Sequence, residues 1–164
     1  MNKEIASLVE ELSKRINGTG NIVVTAESLT GGMISAALTS IPGASDWFER
    51  GFVTYTNEAK HQMLGVPQSI LDRFTAVSTE TVSQMLEGAI KNSGGTMAVA
   101  VSGIAGPGGE LPGKPVGTVF IGWKRRDEMA EVARYHFDGN RETVREQTVA
   151  AAIKGLVDML DERQ

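Results

Sequence analysis

At 164 residues the chain is long enough to bury a core without disulfides or a structural metal, and one domain over 1–164 is expected. Apolar residues make up 41% and charged residues 22%, the balance of a soluble globular protein, and the absence of cysteine removes disulfides, thiolate nucleophiles, iron–sulfur clusters and cysteine-bound zinc together. A formal charge of -4 and a pI near 5.2 argue against general nucleic-acid binding, while leaving room for a local basic pocket that holds one phosphate.

The N-terminus opens on a charged helical pattern, and no stretch approaches the ~20 apolar residues of a membrane span, so a cytoplasmic protein without a membrane partner is expected. Ile5, Leu8, Val9, Leu12 and Ile16 recur at helical spacing and predict a first helix ending near Asn17-Gly18. Asn21 to Thr25 is a short β-branched run, as in a strand buried on both faces. It leads through Ala26-Glu27-Ser28-Leu29-Thr30-Gly31-Gly32 into a helix carrying Met33, Ile34, Ala37 and Leu38. Phe48 to Thr56 reads as a second strand, with Asn57 capping a short helix through Leu64 that Gly65 and Pro67 stop. Ser78 caps another helix with Val82, Met85, Leu86 and Ala89 inward, and Met97 to Ser102 returns as a strand before a glycine-rich loop from Gly103 to Gly113. Val116 to Trp123 and Met129 to Phe137 read as a hairpin across the charged turn Lys124 to Glu128. Asn140 caps a last helix facing the core with Val149, Ala152, Ile153, Leu156 and Leu160 and ending in a frayed polar tail.

Alternating helices and strands closed by a strand pair predict a three-layer α/β/α sandwich around a mixed, mostly parallel β-sheet. Sites in such folds form beyond the carboxyl ends of strands, which singles out the loops after Thr25 and after Ser102. Ser28 stands where a strand turns into a helix, with the amides of Thr30, Gly31 and Gly32 available to an oxyanion or phosphate. On pattern alone the same segment reads as a helix cap and turn glycines. A serine needs a base, and the two histidines, His61 and His136, read as structural or surface residues. Lys60, in the first turn of its helix and close in sequence to Tyr55, serves if burial lowers its pKa; taken alone, such a lysine is usually solvated. Gly108 to Lys114 has P-loop spacing, but Pro115 replaces the required Ser or Thr and a strand follows, so a nucleotide-triphosphatase is rejected. Asn17-Gly18-Thr19 is a chance glycosylation triplet, and no spacing of carboxylates or histidines suggests a metal.

Together, Ala26-Glu27-Ser28-Leu29-Thr30-Gly31-Gly32, Tyr55-Thr56-Asn57-Glu58-Ala59-Lys60, Ala76-Val77-Ser78, Ser102-Gly103-Ile104-Ala105-Gly106-Pro107 and Pro115-Val116-Gly117-Thr118-Val119 resemble the CinA C-terminal domain family, or nicotinamide-nucleotide amidohydrolases, in its stand-alone form. The resemblance implies hydrolysis of the carboxamide of nicotinamide mononucleotide, giving nicotinate mononucleotide and ammonia, in pyridine-nucleotide recycling. It implies Ser28 as nucleophile, Lys60 as base and Tyr55 assisting. Substrate contacts are expected from Thr30, Gly31, Gly32, Ser102, Gly103, Ala105, Gly106 and Arg141, with no cofactor and a homo-oligomeric protein. The family often carries Thr at Ser102 and Gln at Glu142; the first exchange keeps a hydroxyl, the second adds a negative charge near the expected phosphate region. The competing reading is a non-catalytic pyridine-nucleotide-binding or competence- and damage-associated interaction module.

Overall fold

The computed structural model describes residues 1–161. Its elements in chain order are α1 (Lys3–Ile16), β1 (Val23–Glu27), α2 (Met33–Leu38), β2 (Phe48–Val53), α3 (Asn57–Leu64), α4 (Gln68–Phe74), α5 (Thr79–Lys91), β3 (Met97–Gly103), β4 (Thr118–Arg125), β5 (Glu131–His136) and α6 (Arg141–Asp161). The sheet order is β2-β1-β3-β4-β5. The β1–β2 and β1–β3 pairings are parallel and the β3–β4 and β4–β5 pairings antiparallel, so the sheet is mixed and β4 alone opposes the common direction.

Two hydrophobic clusters make the three layers. Val23, Met97, Val99, Val101, Val119 and Ile121 point to the face covered by α1, α2 and α6. Their neighbours Val24, Ala26, Ala98, Ala100 and Phe120 point to the face covered by α3, α4 and α5. This is the period-two alternation of a sheet buried on both sides, and it explains why β1 and β3 read as continuous apolar runs. Each fully buried Val, Leu or Ile contributes about 1.5–3 kcal/mol, so burial on both faces stabilises the central strands. Among the described residues no helix is long and apolar enough to cross a membrane.

Several boundaries differ from the sequence expectations for identifiable reasons. β1 begins and ends two residues later than expected, because Glu27, a charged residue, continues the buried strand. β2 stops at Val53: the Thr54 N–H still bonds the Glu27 carbonyl at 2.8 Å, but the Thr54 carbonyl turns away to meet Lys60. Thr56, not Asn57, caps α3, its hydroxyl accepting the Ala59 N–H at 3.0 Å. The hairpin strands begin two residues later than expected, at Thr118 and Glu131. Helix α4 went unpredicted, since Pro67, expected only as a stop, also opens the next helix. Ser78 and Asn140 cap α5 and α6 as expected, accepting from Thr81 N–H and Thr143 N–H. The tail expected to fray, 162–164, lies outside the described residues.

Candidate active site

β1, β2 and β3 end on the same edge of the sheet, which brings together the loops that follow Glu27, Val53 and Gly103. Between them opens a cavity of about 400 Å³, within the range of small-molecule sites, and Ser28, Tyr55 and Lys60 line it.

Lys60 is the buried amine of this cavity. Its side chain is 1% exposed, and Nζ lies 2.8 Å from Ser28 Oγ, 2.9 Å from the Thr54 carbonyl and 3.2 Å from the Tyr55 carbonyl. Burial lowers its pKa from 10.5 to about 8, because the charged form loses hydration that no carboxylate replaces. A neutral amine has two hydrogens and one lone pair. If the two carbonyls take the hydrogens, the lone pair faces the Ser28 hydroxyl, the arrangement a general base needs. Ser28 itself is 7% exposed, and the Tyr55 carbonyl is a second acceptor for its hydroxyl at 3.4 Å.

Tyr55 stands differently from the assisting role expected of it. Its main-chain carbonyl, not its phenol, touches Lys60 and Ser28. The exposed phenol instead accepts from Arg141 Nη2 at 3.2 Å, and Arg141 Nη1 donates to the Gly106 carbonyl at 3.0 Å. Arg141, the first residue of α6, therefore spans the β2–α3 loop and the glycine-rich loop on the cavity wall. Ser102, Gly103, Ala105 and Gly106 also line the cavity. The Ser102 side chain is 1% exposed and its hydroxyl has no hydrogen-bond partner among the described residues. Ile104 gives its N–H to the Thr118 carbonyl at 2.9 Å. Antiparallel ladders alternate, so Gly103, opposite Val119, turns its N–H away from β4 to the side where β1 has ended. A Cβ on Gly103 would lie 2.8 Å from the Thr118 carbonyl, so only glycine fits there.

Thr30, Gly31 and Gly32 do not line the cavity. The Thr30 hydroxyl is buried and donates to Glu27 Oε1 at 2.6 Å, and the Gly31 N–H is spent on the Ser28 carbonyl at 3.0 Å. Glu142 is exposed and also off the cavity wall. His61 binds the Val66 carbonyl and His136 binds Asp138, both away from the site. Lys114, the last residue of the P-loop look-alike, donates to the carbonyls of Phe74 and Val77 and tethers the loop bearing Ala76 and Val77 to the cavity. Thr75 in that loop has φ 67, strained for a β-branched residue, and its carbonyl is held by the hydroxyls of Ser78 and Thr81.

Two residues escaped sequence reasoning. Arg145 donates from Nε to the Leu29 carbonyl at 2.9 Å, tying α6 to the serine loop. Its spacing of one helical turn from Arg141 was the available signal. Glu27 is wholly buried beside Ser28; a carboxylate closing an apolar strand is unusual enough to have marked it. Among the described residues no group of His, Asp and Glu side chains could hold a metal ion.

Comparison with known proteins places the chain in a family. The family model for the CinA C-terminal domain matches residues 5–160. The nicotinamide-nucleotide amidohydrolase PncC of Pseudomonas putida is 47% identical over 155 residues, 94% of this chain and 96% of that protein. The protein of the same name from Escherichia coli K12 is 44% identical, covering 93% of each chain. The crystal structure of the competence/damage inducible protein CihA from Agrobacterium tumefaciens superposes with a TM-score of 0.93 at 42% identity over 98% of both chains. The chain belongs to the CinA C-terminal domain family.

Proposed function

We propose that this protein hydrolyses the carboxamide of nicotinamide mononucleotide to nicotinate mononucleotide and ammonia, as a cytoplasmic step of pyridine-nucleotide recycling. The observation that carries the reading is the buried amine–hydroxyl contact between Lys60 and Ser28 opening into the cavity. The names of the PncC relatives point to the same substrate.

Neutral Lys60 takes the Ser28 proton as Oγ attacks the carboxamide carbon. The developing oxyanion falls to the Gly103 N–H, which faces the gap beyond β1, while the committed Gly31 N–H plays no part. Protonated Lys60 returns its proton to the departing amine, leaving an acyl ester on Ser28. Water, deprotonated by Lys60, attacks that ester and releases the carboxylate product. Arg141, with the Tyr55 phenol beside it, takes the phosphate, since its guanidinium is the exposed cation on the wall. Thr30, Gly31 and Gly32 shape the loop instead of touching substrate. No cofactor, nucleic acid or membrane enters the reaction, and a homo-oligomer is the family expectation, which light scattering on the purified protein decides.

The test is incubation of the purified protein with nicotinamide mononucleotide, following ammonia and the carboxylate nucleotide. Stoichiometric release of both, lost in Ser28→Ala, is expected. Binding without turnover would favour the non-catalytic module instead.

A further inference from the structure

We infer that Glu27 is the positioning residue of the nucleophile, its carboxylate fixing the loop that carries Ser28. The inference rests on the assignment of Ser28 as the nucleophile. Helix α2 begins after Gly32, which has φ 102 and no side chain to cap the helix. Glu27 supplies the missing cap from the strand side. Oε1 accepts from Thr30 Oγ1 at 2.6 Å and from the Ile34 N–H at 2.9 Å; Oε2 accepts from the Ser35 N–H at 3.0 Å and from Ser35 Oγ at 2.7 Å. A buried carboxyl group thus has both oxygens hydrogen-bonded at the start of α2, as burial of a polar group requires.

These four contacts bracket Ser28 between the end of β1 and the start of α2. The same residue also reaches the base. Its main-chain carbonyl accepts the Thr54 N–H at 2.8 Å, and the Thr54 carbonyl in turn holds Lys60 Nζ. Residue 27 therefore adjoins both partners of the proposed dyad, the loop of Ser28 through its side chain and Lys60, by way of Thr54, through its main chain. Its side-chain hydrogen bonds end on Thr30, Ile34 and Ser35, and none of them reaches the Ser102–Gly106 wall or Arg141.

All four partners are donors, and each carboxylate oxygen faces one main-chain N–H, which cannot reverse. A glutamine here must turn its NH2 on one of those N–H groups, whichever way the amide is flipped. Glu27→Gln is therefore nearly isosteric yet mispaired, and it shifts the serine loop without emptying the core.

The experiment measures steady-state deamidation of nicotinamide mononucleotide and the rate of Ser28 labelling by phenylmethylsulfonyl fluoride, in wild type, Glu27→Gln and Thr30→Val, with melting curves for each. In Glu27→Gln we expect kcat and labelling rate to fall together by about 10²-fold, the scale of a misplaced reacting group. KM stays within about twofold and the pH midpoint is unmoved, because burial and not Glu27 lowers the Lys60 pKa. Thr30→Val, which removes one donor, gives a smaller fall with the same signature. A folded Glu27→Gln with wild-type kcat overturns the proposal, as does a kcat that falls only with the folded fraction, or a raised KM at unchanged kcat. If Glu27→Gln does not fold, Thr30→Val decides: unchanged kcat and labelling reduce Glu27 to a folding role. Failure of the nucleophile assignment is recognised separately, by wild-type labelling at a residue other than Ser28.

Discussion

Lys60 Nζ stands 2.8 Å from Ser28 Oγ, and its other two contacts are the main-chain carbonyls of Thr54 and Tyr55, so the amine proposed as the base is oriented by backbone rather than by a third side chain. A histidine-based triad orients its base with a carboxylate, whose charge would raise a lysine pKa and disable it. Neutral carbonyls hold the amine without that penalty.

From this follows the pH dependence. With Lys60 lowered to about 8, kcat/KM should rise with pH through that value and level off above it. Lys60→Arg keeps a charge that cannot be given up in the accessible range, so it should be as inactive as Lys60→Ala, each down by about 10³-fold or more. Substantial recovery of activity by arginine would make Lys60 a fixed charge and move the base elsewhere.

The same burial has a stability consequence. Lys60 ionises at about 8 in the folded chain and near 10.5 when unfolded, so between those values the unfolded state binds more protons and wild-type stability rises with pH. The whole interval is worth about 3 kcal/mol at ~1.4 kcal/mol per pKa unit. Lys60→Met keeps the apolar stem but not the titration. Urea unfolding at pH 7 and pH 10.5 should therefore show the wild type gaining roughly that amount relative to the methionine variant. A difference that does not change with pH would mean that the amine is not buried as a cation.

What the sequence made legible was the set of loops at the carboxyl ends of β1, β2 and β3 that meet at the cavity. Ser28 at the strand-to-helix elbow and Lys60 on a capped helix are brought within hydrogen-bonding distance, and Ser102, Gly103, Ala105, Gly106 and Arg141 share one cavity wall. The glycine motif was less legible. Thr30, Gly31 and Gly32 looked like ligand-binding donors, but the hydrogen-bond demand of Glu27 and of the Ser28 carbonyl claims the Thr30 hydroxyl and the Gly31 N–H internally. Composition and spacing do not reveal which donors the fold consumes. Tyr55 illustrates the same limit, since its neighbourhood to Lys60 in sequence acts through its carbonyl while its phenol reaches α6.

Arg141 and Tyr55 are expected to act as one binding unit. Arg141→Ala should raise KM for nicotinamide mononucleotide by about 10- to 100-fold, the value of a charge-assisted hydrogen bond, with kcat changed far less. Tyr55→Phe removes a phenol bonded to that guanidinium and leaves the carbonyl that holds Lys60, so it too should act on KM, more weakly. A collapse of kcat in Tyr55→Phe at unchanged KM would return the phenol to the chemical step.

Ser102 gives the sharpest contrast between a structural and a ligand-directed hydroxyl. Its side chain is 1% exposed and lines the cavity, yet its Oγ bonds no described residue. Removing a hydroxyl that has a protein partner leaves that partner unsatisfied and destabilises the fold, whereas Ser102→Ala orphans nothing. Its melting temperature should therefore match or exceed that of the wild type. If the hydroxyl binds substrate, kcat/KM should fall about tenfold, the scale of one neutral hydrogen bond. Ser102→Thr keeps the hydroxyl and should retain most of the activity. Melting curves with kcat/KM for both variants make the distinction. Lower stability in Ser102→Ala with unchanged kcat/KM would assign the hydroxyl to the fold and remove it from the site.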